Sequence, residues 1–357
     1  MKKQTISAIA LGILMTGCHN GDAEFPAYDY QTIYFAKQSP IRTVTLGDEE
    51  FVDNTLDNEH AIMIKAVLGG VNENKKERWA TVVVDESLCD NMYFSDGSKV
   101  TPLPESHYTM TTDRIVIGKK EVLGGVRVNL TDAFFADAKS TGLNYVIPVR
   151  LTSASDSILS GKPKDGVADP NRVRKDDWSV VPQDYVLYAV KYKNQYHGAW
   201  LSKGSDKLIQ DGVETVVNRQ TELWEKATLR ELTTKSLTKC GYAFSKVVPI
   251  VDSNGDKGEK TLVCELILDI DANGVVTVSS ESEGCAATGS GTWTYKGEPK
   301  AWGDKDRDLL KLSYDYTIEY VKNEQTGEKG VFRQITEESL VMQSRQNRLE
   351  EFSFTLN

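Results

Sequence analysis

Histidine and cysteine are in short supply in this chain, and basic residues are outnumbered by acidic ones. Four histidines among 357 residues, with no H-E-x-x-H stretch, provide no local imidazole constellation for a metalloprotease. The five cysteines, Cys18, Cys89, Cys240, Cys264 and Cys285, contain no C-x-x-C spacing, which argues against a zinc site. G-x-S-x-G and the P-loop are missing as well, and with them the usual sequence signatures of serine hydrolases and P-loop nucleotide enzymes. Lysine and arginine total 42 against 52 acidic residues, a net charge of −10 at pH 7. Nucleic-acid binding needs dense positive charge, so no nucleic-acid partner is expected. The short basic runs Lys75-Lys76 and Arg172 to Lys175 are flanked by acids and read as solvated loops. Beyond residue 15 no apolar run approaches the ~20 residues that a membrane-spanning helix needs.

What the chain does have begins at its N-terminus. Lys2 and Lys3 precede an apolar run from Ala8 to Met15, and Leu14-Met15-Thr16-Gly17-Cys18 closes the segment. A basic start, a short apolar middle and small residues before a cysteine make a secretory signal with a lipobox. Met15 departs from the leucine usual at that position, and the alternative is a plain secretory signal that happens to hold a cysteine. The expectation is that residues 1–17 are removed and that Cys18 is acylated, so that the lipid anchor alone meets the membrane. Removal takes Lys2 and Lys3 and no acid, leaving 40 basic against 52 acidic residues and a net charge near −12. Residues 18–30 then form a polar tether with Gly21, Asp22, Glu24 and Pro26.

The remainder reads as strands. Hydrophobic residues make up 39% and aromatics 9%, enough for two cores of ordinary size. In residues 31–193, Ile62, Ile64, Ala66 and Leu68 alternate with their neighbours. Trp79 to Val84, Arg114 to Ile117, Val126 to Leu130 and Tyr145 to Leu151 follow, each bounded by turn residues. Period-two patterning with frequent turns predicts a β-sandwich. Pro148 is expected on an edge strand, because proline cannot donate to a ladder. Thr131 to Lys139 reads as a short helix with Thr131 as N-cap, and Ser160 to Asp177 as a surface loop. In residues 194–357, Leu262 to Ile270 alternates into the turn Asp271-Ala272-Asn273-Gly274, and Val276 and Val278 run back as a hairpin. Leu310, Leu312, Tyr314, Tyr316, Ile318 and Tyr320 share one face. Their polar neighbours share the other, as in a closed antiparallel sheet of roughly eight strands. Thr221 to Leu232 fits a short helix or a strand equally well. A disulfide among Cys240, Cys264 and Cys285 and free buried thiols both remain open.

Several stretches together resemble a known family. They are Tyr34 to Thr43, Val71 to Lys75, Leu103-Pro104 with Tyr108, and Leu130 to Phe135. They resemble an uncharacterised N-terminal domain of Bacteroidetes surface lipoproteins encoded in glycan-utilisation loci, where it precedes a family-18 endoglycosidase or a second domain without evident catalysis. The resemblance covers about residues 25–190 and implies an immunoglobulin-like sandwich. Tyr196-His197-Gly198-Ala199-Trp200 looks like the start of the companion domain, which is similar to a lipocalin-type barrel. It implies a surface lipoprotein that hands glycan to an outer-membrane importer, anchored in the outer membrane and facing the cell exterior.

The residues themselves supply no catalytic set. Asp269-Ile270-Asp271 is the nearest approach to the spaced aspartates of a family-18 glycosidase, and no glutamate follows in register. Asp269, Asp271, Asn273 and Gly274 match half of an EF-hand loop, but its twelfth position is Ser280, so no metal is expected there. Asp252 to Asp256 reads as a hairpin tip. His197 at the domain junction reads as a structural hydrogen-bonding group. Aromatics remain: Trp200, Trp224, Trp293, Tyr295 and Trp302 all fall in the second domain. Core packing is the ordinary fate of such rings. Trp302, between Pro299 and Gly303-Asp304, is the best candidate for an exposed platform, with Trp293, Tyr295 and Trp200 as further ligand-binding candidates. The expectation is therefore an all-β, non-enzymatic, cofactor-free protein that binds oligosaccharide. A binder of lipid or another apolar molecule in a barrel cavity, or a structural subunit of a surface complex, are the alternatives.

Overall fold

The computed structural model describes residue 28 and residues 30–357; Cys18, the signal and most of the tether lie outside the described residues. The N-terminal half is built on a twelve-stranded sheet that folds over a main core, with a second buried cluster around Met92, Leu187 and Phe352. Along it run Thr32–Tyr34, Ala61–Gly69, Leu123–Leu130, Arg114–Ile117, Arg78–Val84, Tyr145–Ala154, Tyr185–Lys193 and Pro40–Thr45, in that spatial order. The alternating residues Ile62, Ile64, Ala66 and Leu68 all point inward and are buried, which makes this half a β-sandwich. Its helices are single turns, Thr55–Asn58 and Asp132–Ala136. Thr131 sits at the N-cap position, but its hydroxyl donates to Ser106 O instead of capping. Residues 160–177 are mostly irregular, as expected of a loop.

Pro148 corrects one expectation. It lies in Tyr145–Ala154, a central strand, buried, and opposite Leu187. Leu187 N–H donates away from this pair, to Gln38 O, and Asp85 N–H donates to Pro148 O. The proline nitrogen therefore faces the other flank, where the partner changes from Thr101–Pro102 to Arg78–Val84. Little ladder is lost at that break, so proline is tolerated inside the sheet.

The second half is a barrel. Its strands are β1 (Gly198–Gln210), β2 (Val213–Asn218), β3 (Thr228–Thr234), β4 (Lys239–Val251), β5 (Lys257–Ile270), β6 (Val275–Ser280), β7 (Cys285–Trp302), β8 (Lys305–Asn323) and β9 (Glu328–Ser344). All neighbours are antiparallel apart from one parallel bridge between β4 and β8 at Val251 and Asn323. Pairing of β9 with β1 closes β1-β3-β4-β5-β6-β7-β8-β9 into a ring of eight, with β2 added on the far half of β1. Thr221 to Leu232 resolves into a 3-10 turn at Trp224–Lys226 followed by β3. The Asp271 turn forms because its carboxylate accepts the N–H groups of Asn273 and Val275, both at 2.8 Å, while Gly274 takes φ of +78°. Asp252 does the same for Asn254 and Asp256, leaving both aspartates engaged by their own turns. Cys264 and Cys285 form a disulfide that ties β5 to β7 beyond the end of β6. Cys240 is a free buried thiol whose pKa burial pushes up to about 12.

The junction is held by two chain crossings. The final residues were expected in the barrel; instead Glu350–Glu351 pairs with Pro40–Thr45 and Phe354–Leu356 pairs with Met92–Phe94. Phe352 is buried against Phe94, ring centroids 5.3 Å apart. Burial of that ring in the sandwich draws the tail back across the junction. Arg345, also buried, donates to Leu46 O, Asn194 O and Gln195 O. His197 accepts Thr234 N–H at Nδ1, 3.1 Å, and desolvation first, with Lys193 and Arg345 second, lowers its pKa to about 3.

A histidine held neutral makes stability depend on pH. Below pH ~6.5 the unfolded chain binds a proton that the folded chain refuses. This contribution is complete above that pH and declines by ~1.4 kcal/mol per unit as the pH falls toward 3. Urea unfolding at pH 6.5 and 5 should show a loss of about 2 kcal/mol that His197→Gln largely lacks. An unchanged pH slope in the variant would assign the effect to other groups.

Candidate functional site

The barrel interior carries a charged layer that polarity alone would place outside. Glu338 on β9 is fully buried at its carboxylate. It accepts from Tyr242 OH at 3.0 Å, Tyr314 OH at 2.9 Å, Ser202 Oγ at 2.5 Å and Arg219 Nη2 at 3.1 Å. Arg219 also forks onto Asp206, Nε at 2.6 Å and Nη2 at 2.9 Å, and Thr336 Oγ1 donates to the same carboxylate. Burial pushes Asp206 upward, but the Arg219 and Thr336 hydrogen bonds outweigh it and hold the carboxyl below its ordinary value. On either side of this layer the interior is filled. Phe244, Tyr316 and Phe332 pack toward one end, and Trp200, Leu232 and Leu310 toward the other. This is a packed, hydrogen-bonded interior, not an aliphatic calyx.

The outer wall is different. Directly paired residues in an antiparallel sheet present their side chains on one face. The register therefore stacks the outward residues of β1, β9 and β8 in cross-strand rows. Leu201, Val341 and Leu309 form an apolar row that packs with Ala301. Next to it lie Lys203, Ser339 and Lys311, and then Ser205, Glu337 and Ser313. The β7 edge adds Thr292 and Ser290 to these two polar rows. Above them the segment after β2 turns back across the wall, anchored by the inward plunge of Arg219 and by Arg219 N–H on Gly204 O at 2.9 Å. Its Trp224 packs on the apolar row and lies 4.2 Å from Lys203 Nζ, measured to the ring centroid. The result is a polar groove of about 800 Å³ with Trp224 on one side and Glu298 at the other. Short hydroxyl side chains on its floor leave room for a polar, flat ligand.

Each nominated aromatic has a definite place. Trp302 is half-buried against the same Leu201–Leu309–Val341 cluster as Trp224, so these two tryptophans share one apolar patch. The turn that follows it, Gly303-Asp304, has both residues at positive φ, the geometry of a two-residue hairpin turn. Trp293 lies edge-on to Tyr196, centroids 5.2 Å apart. Tyr295 is exposed at the domain junction, where its OH donates to Asp48 at 2.8 Å and Lys296 pairs with the same carboxylate. Trp200 is fully buried, its indole N–H donating to Tyr196 O at 3.0 Å, and presents no surface to a ligand. A second cleft, about 740 Å³, lies between residues 48–52 of the sandwich and the β7–β8 turn. It is bridged by Glu50 to Lys305 and Arg307 and reads as a latch. Trp224, the ring that lines the groove, is not one of the four ligand-binding candidates that the sequence suggests. Its segment carried no periodicity to orient it, and only the anchor at Arg219 does so.

A family described as a domain of unknown function (DUF5627) matches residues 195–346, and a family described as an N-terminal domain matches residues 28–158. No curated protein matches. Among solved structures, a Bacteroides ovatus protein of unknown function is 38% identical, with 92% of this chain and 100% of that chain covered and a TM-score of 0.80. Another protein of unknown function from Bacteroides ovatus is 11% identical, covering 90% and 99%, with a TM-score of 0.41. An auxiliary nutrient binding protein from Bacteroides thetaiotaomicron is 11% identical, covering 79% and 82%, with a TM-score of 0.38. The last two are too distant for their folds or roles to bear on this chain.

Proposed function

The chain belongs to the same family as the Bacteroides ovatus protein of unknown function, and within that family we propose a non-catalytic surface lipoprotein that captures oligosaccharide. In this reading Cys18 carries the lipid in the outer membrane, the protein faces the cell exterior, and the captured glycan passes to an outer-membrane importer. The observation that carries the reading is the outer groove. A tryptophan edge beside rows of serine, threonine, lysine and glutamate matches what a sugar offers, an apolar ring face ringed by hydroxyls. The interior supports the same choice. A lumen crossed by Glu338, Asp206 and Arg219 suits an apolar ligand poorly.

Calorimetric titration of the purified protein against a panel of plant and host oligosaccharides tests the reading. Binding in the micromolar to millimolar range is expected, weakened about tenfold, or ~1.4 kcal/mol, by Trp224→Ala. Trp302→Ala, which loosens the shared apolar patch, is expected to weaken it less. Binding indifferent to Trp224 would move the site off the groove. Silence across the panel would favour a scaffolding subunit.

A further inference from the structure

The middle row of the groove has a charge layout of its own. Lys203 on β1 and Lys311 on β8 flank Ser339 on β9, each directly opposite it. Two strand spacings separate the lysine backbones, about 10 Å, and their side chains leave the sheet on the same face. Several outward lysines of the barrel are neutralised, Lys207 by Glu214, Lys235 by Glu265 and Lys322 by Asp211, while the exposed Lys257 and Lys260 lie outside the groove. Lys203 instead donates to the carbonyl of Glu222 and lies over Trp224. Among the described residues, Lys311 forms no ion pair and is exposed. In a chain with ten more acids than bases, two such cations side by side in a groove call for an anion. Glu337 sits one row further on, opposite Ser205 and Ser313 and without an ion pair among the described residues. An ionised carboxylate there accepts hydrogen bonds from hydroxyls and donates none.

We propose that the groove takes an acidic sugar, a uronate or a sulfated residue, with its anionic group over Ser339 between Lys203 and Lys311 and its ring hydroxyls directed to Glu337. The inference rests on the oligosaccharide reading above and adds the substrate class. The shared chemistry is a sugar ring bearing one fixed negative group; carboxylate and sulfate are told apart by the probes.

The test uses charged and neutral partners of the same sugar. Oligogalacturonate is titrated beside its fully methyl-esterified form, and chondroitin sulfate oligosaccharide beside its desulfated, carboxyl-reduced form. At least one acidic member is expected to bind at least tenfold tighter than its neutral partner, and that preference should shrink as salt rises. Lys311→Gln, at an exposed side chain whose loss leaves the fold intact, should weaken acidic binding about fivefold and neutral binding clearly less, so that the acidic preference shrinks. Glu337→Gln should weaken both. If neutral oligosaccharides bind through Trp224 and the acidic forms bind no better, the inference falls and the oligosaccharide reading stands. If no sugar of either charge binds the folded protein, both fall. Acidic binding that Lys311→Gln leaves untouched overturns the placement over Ser339.

Discussion

Arg345→Ala is expected to lower the unfolding free energy by about 4 kcal/mol and to replace one unfolding transition by two. Arg345 is buried at the junction, with its fork on the carbonyls of Leu46, Asn194 and Gln195. Leu46 belongs to the sandwich and Asn194 and Gln195 to the crossing, so one side chain fastens the linker to the first domain. Alanine leaves the Leu46 and Gln195 carbonyls without a donor, at ~1–3 kcal/mol each if they stay dry and offset where water enters from the adjoining cleft, while Asn194 O keeps the His197 N–H at 3.3 Å. Each half has its own core, so an uncoupled junction lets them melt separately. Calorimetry should show the barrel and sandwich transitions parting, the lower one reduced by roughly 10 °C. Lysine keeps the charge but not the planar fork, so Arg345→Lys should recover only part of the loss. A single unshifted transition in the alanine variant would mean that the tail pairing alone holds the halves together.

That tail, and the junction as a whole, illustrates what a linear reading reaches. Alternation in Leu310 to Tyr320 placed a wet and a dry face correctly, because one-sided burial writes itself into period two. The turns at Asp271 and Asp252 were equally legible, since their aspartates hydrogen-bond within five residues. Phe354–Leu356 was not. Its pairing with Met92–Phe94 joins residues more than 250 positions apart, and a three-residue strand leaves no pattern. Pro148 was misplaced for a related reason: the gap that tolerates it is made by two other strands. The groove was the least legible feature. Its tryptophans could be counted, but the row Lys203–Ser339–Lys311 exists only through the β1–β9 and β8–β9 registers. Glu338 was hidden in the same way. It lies on the inward face of β9 in line with Gln334 and Thr336, and local polarity gives no sign that Arg219 arrives from the segment after β2.

Glu338→Ala should be among the most damaging single changes in the barrel, costing about 4 kcal/mol. Glu338 is the acceptor for two tyrosine hydroxyls, a serine and Arg219. Alanine removes the acceptor of three hydroxyls and one of the two carboxylates around Arg219, whose Nη1 stays on Ser202 Oγ at 2.8 Å, so the lost hydrogen bonds of the buried tyrosines are the expensive part. Asp206 still holds the other edge of Arg219, so the barrel is expected to remain folded at neutral pH but to unfold at lower urea. Acid should then act on it sharply. Asp206 has its folded pKa below its unfolded one. Its stabilisation is present above the unfolded value near pH 4 and is lost as pH falls through the folded one. With Glu338 gone, that carboxylate is the last counter-charge of Arg219. The damage also reaches the groove, because Arg219 anchors the segment carrying Trp224. Oligosaccharide affinity should drop in Glu338→Ala even though the side chain never faces the ligand. Glu338→Ala with Arg219→Met leaves Asp206 buried without its counter-charge and should recover neither stability nor binding, since the anchor is then gone as well. Urea midpoints and calorimetric titration on the three variants separate these effects. A Glu338→Ala cost below ~1 kcal/mol, or a double variant that binds normally, would show that the buried charges neither hold the barrel nor position its outer wall.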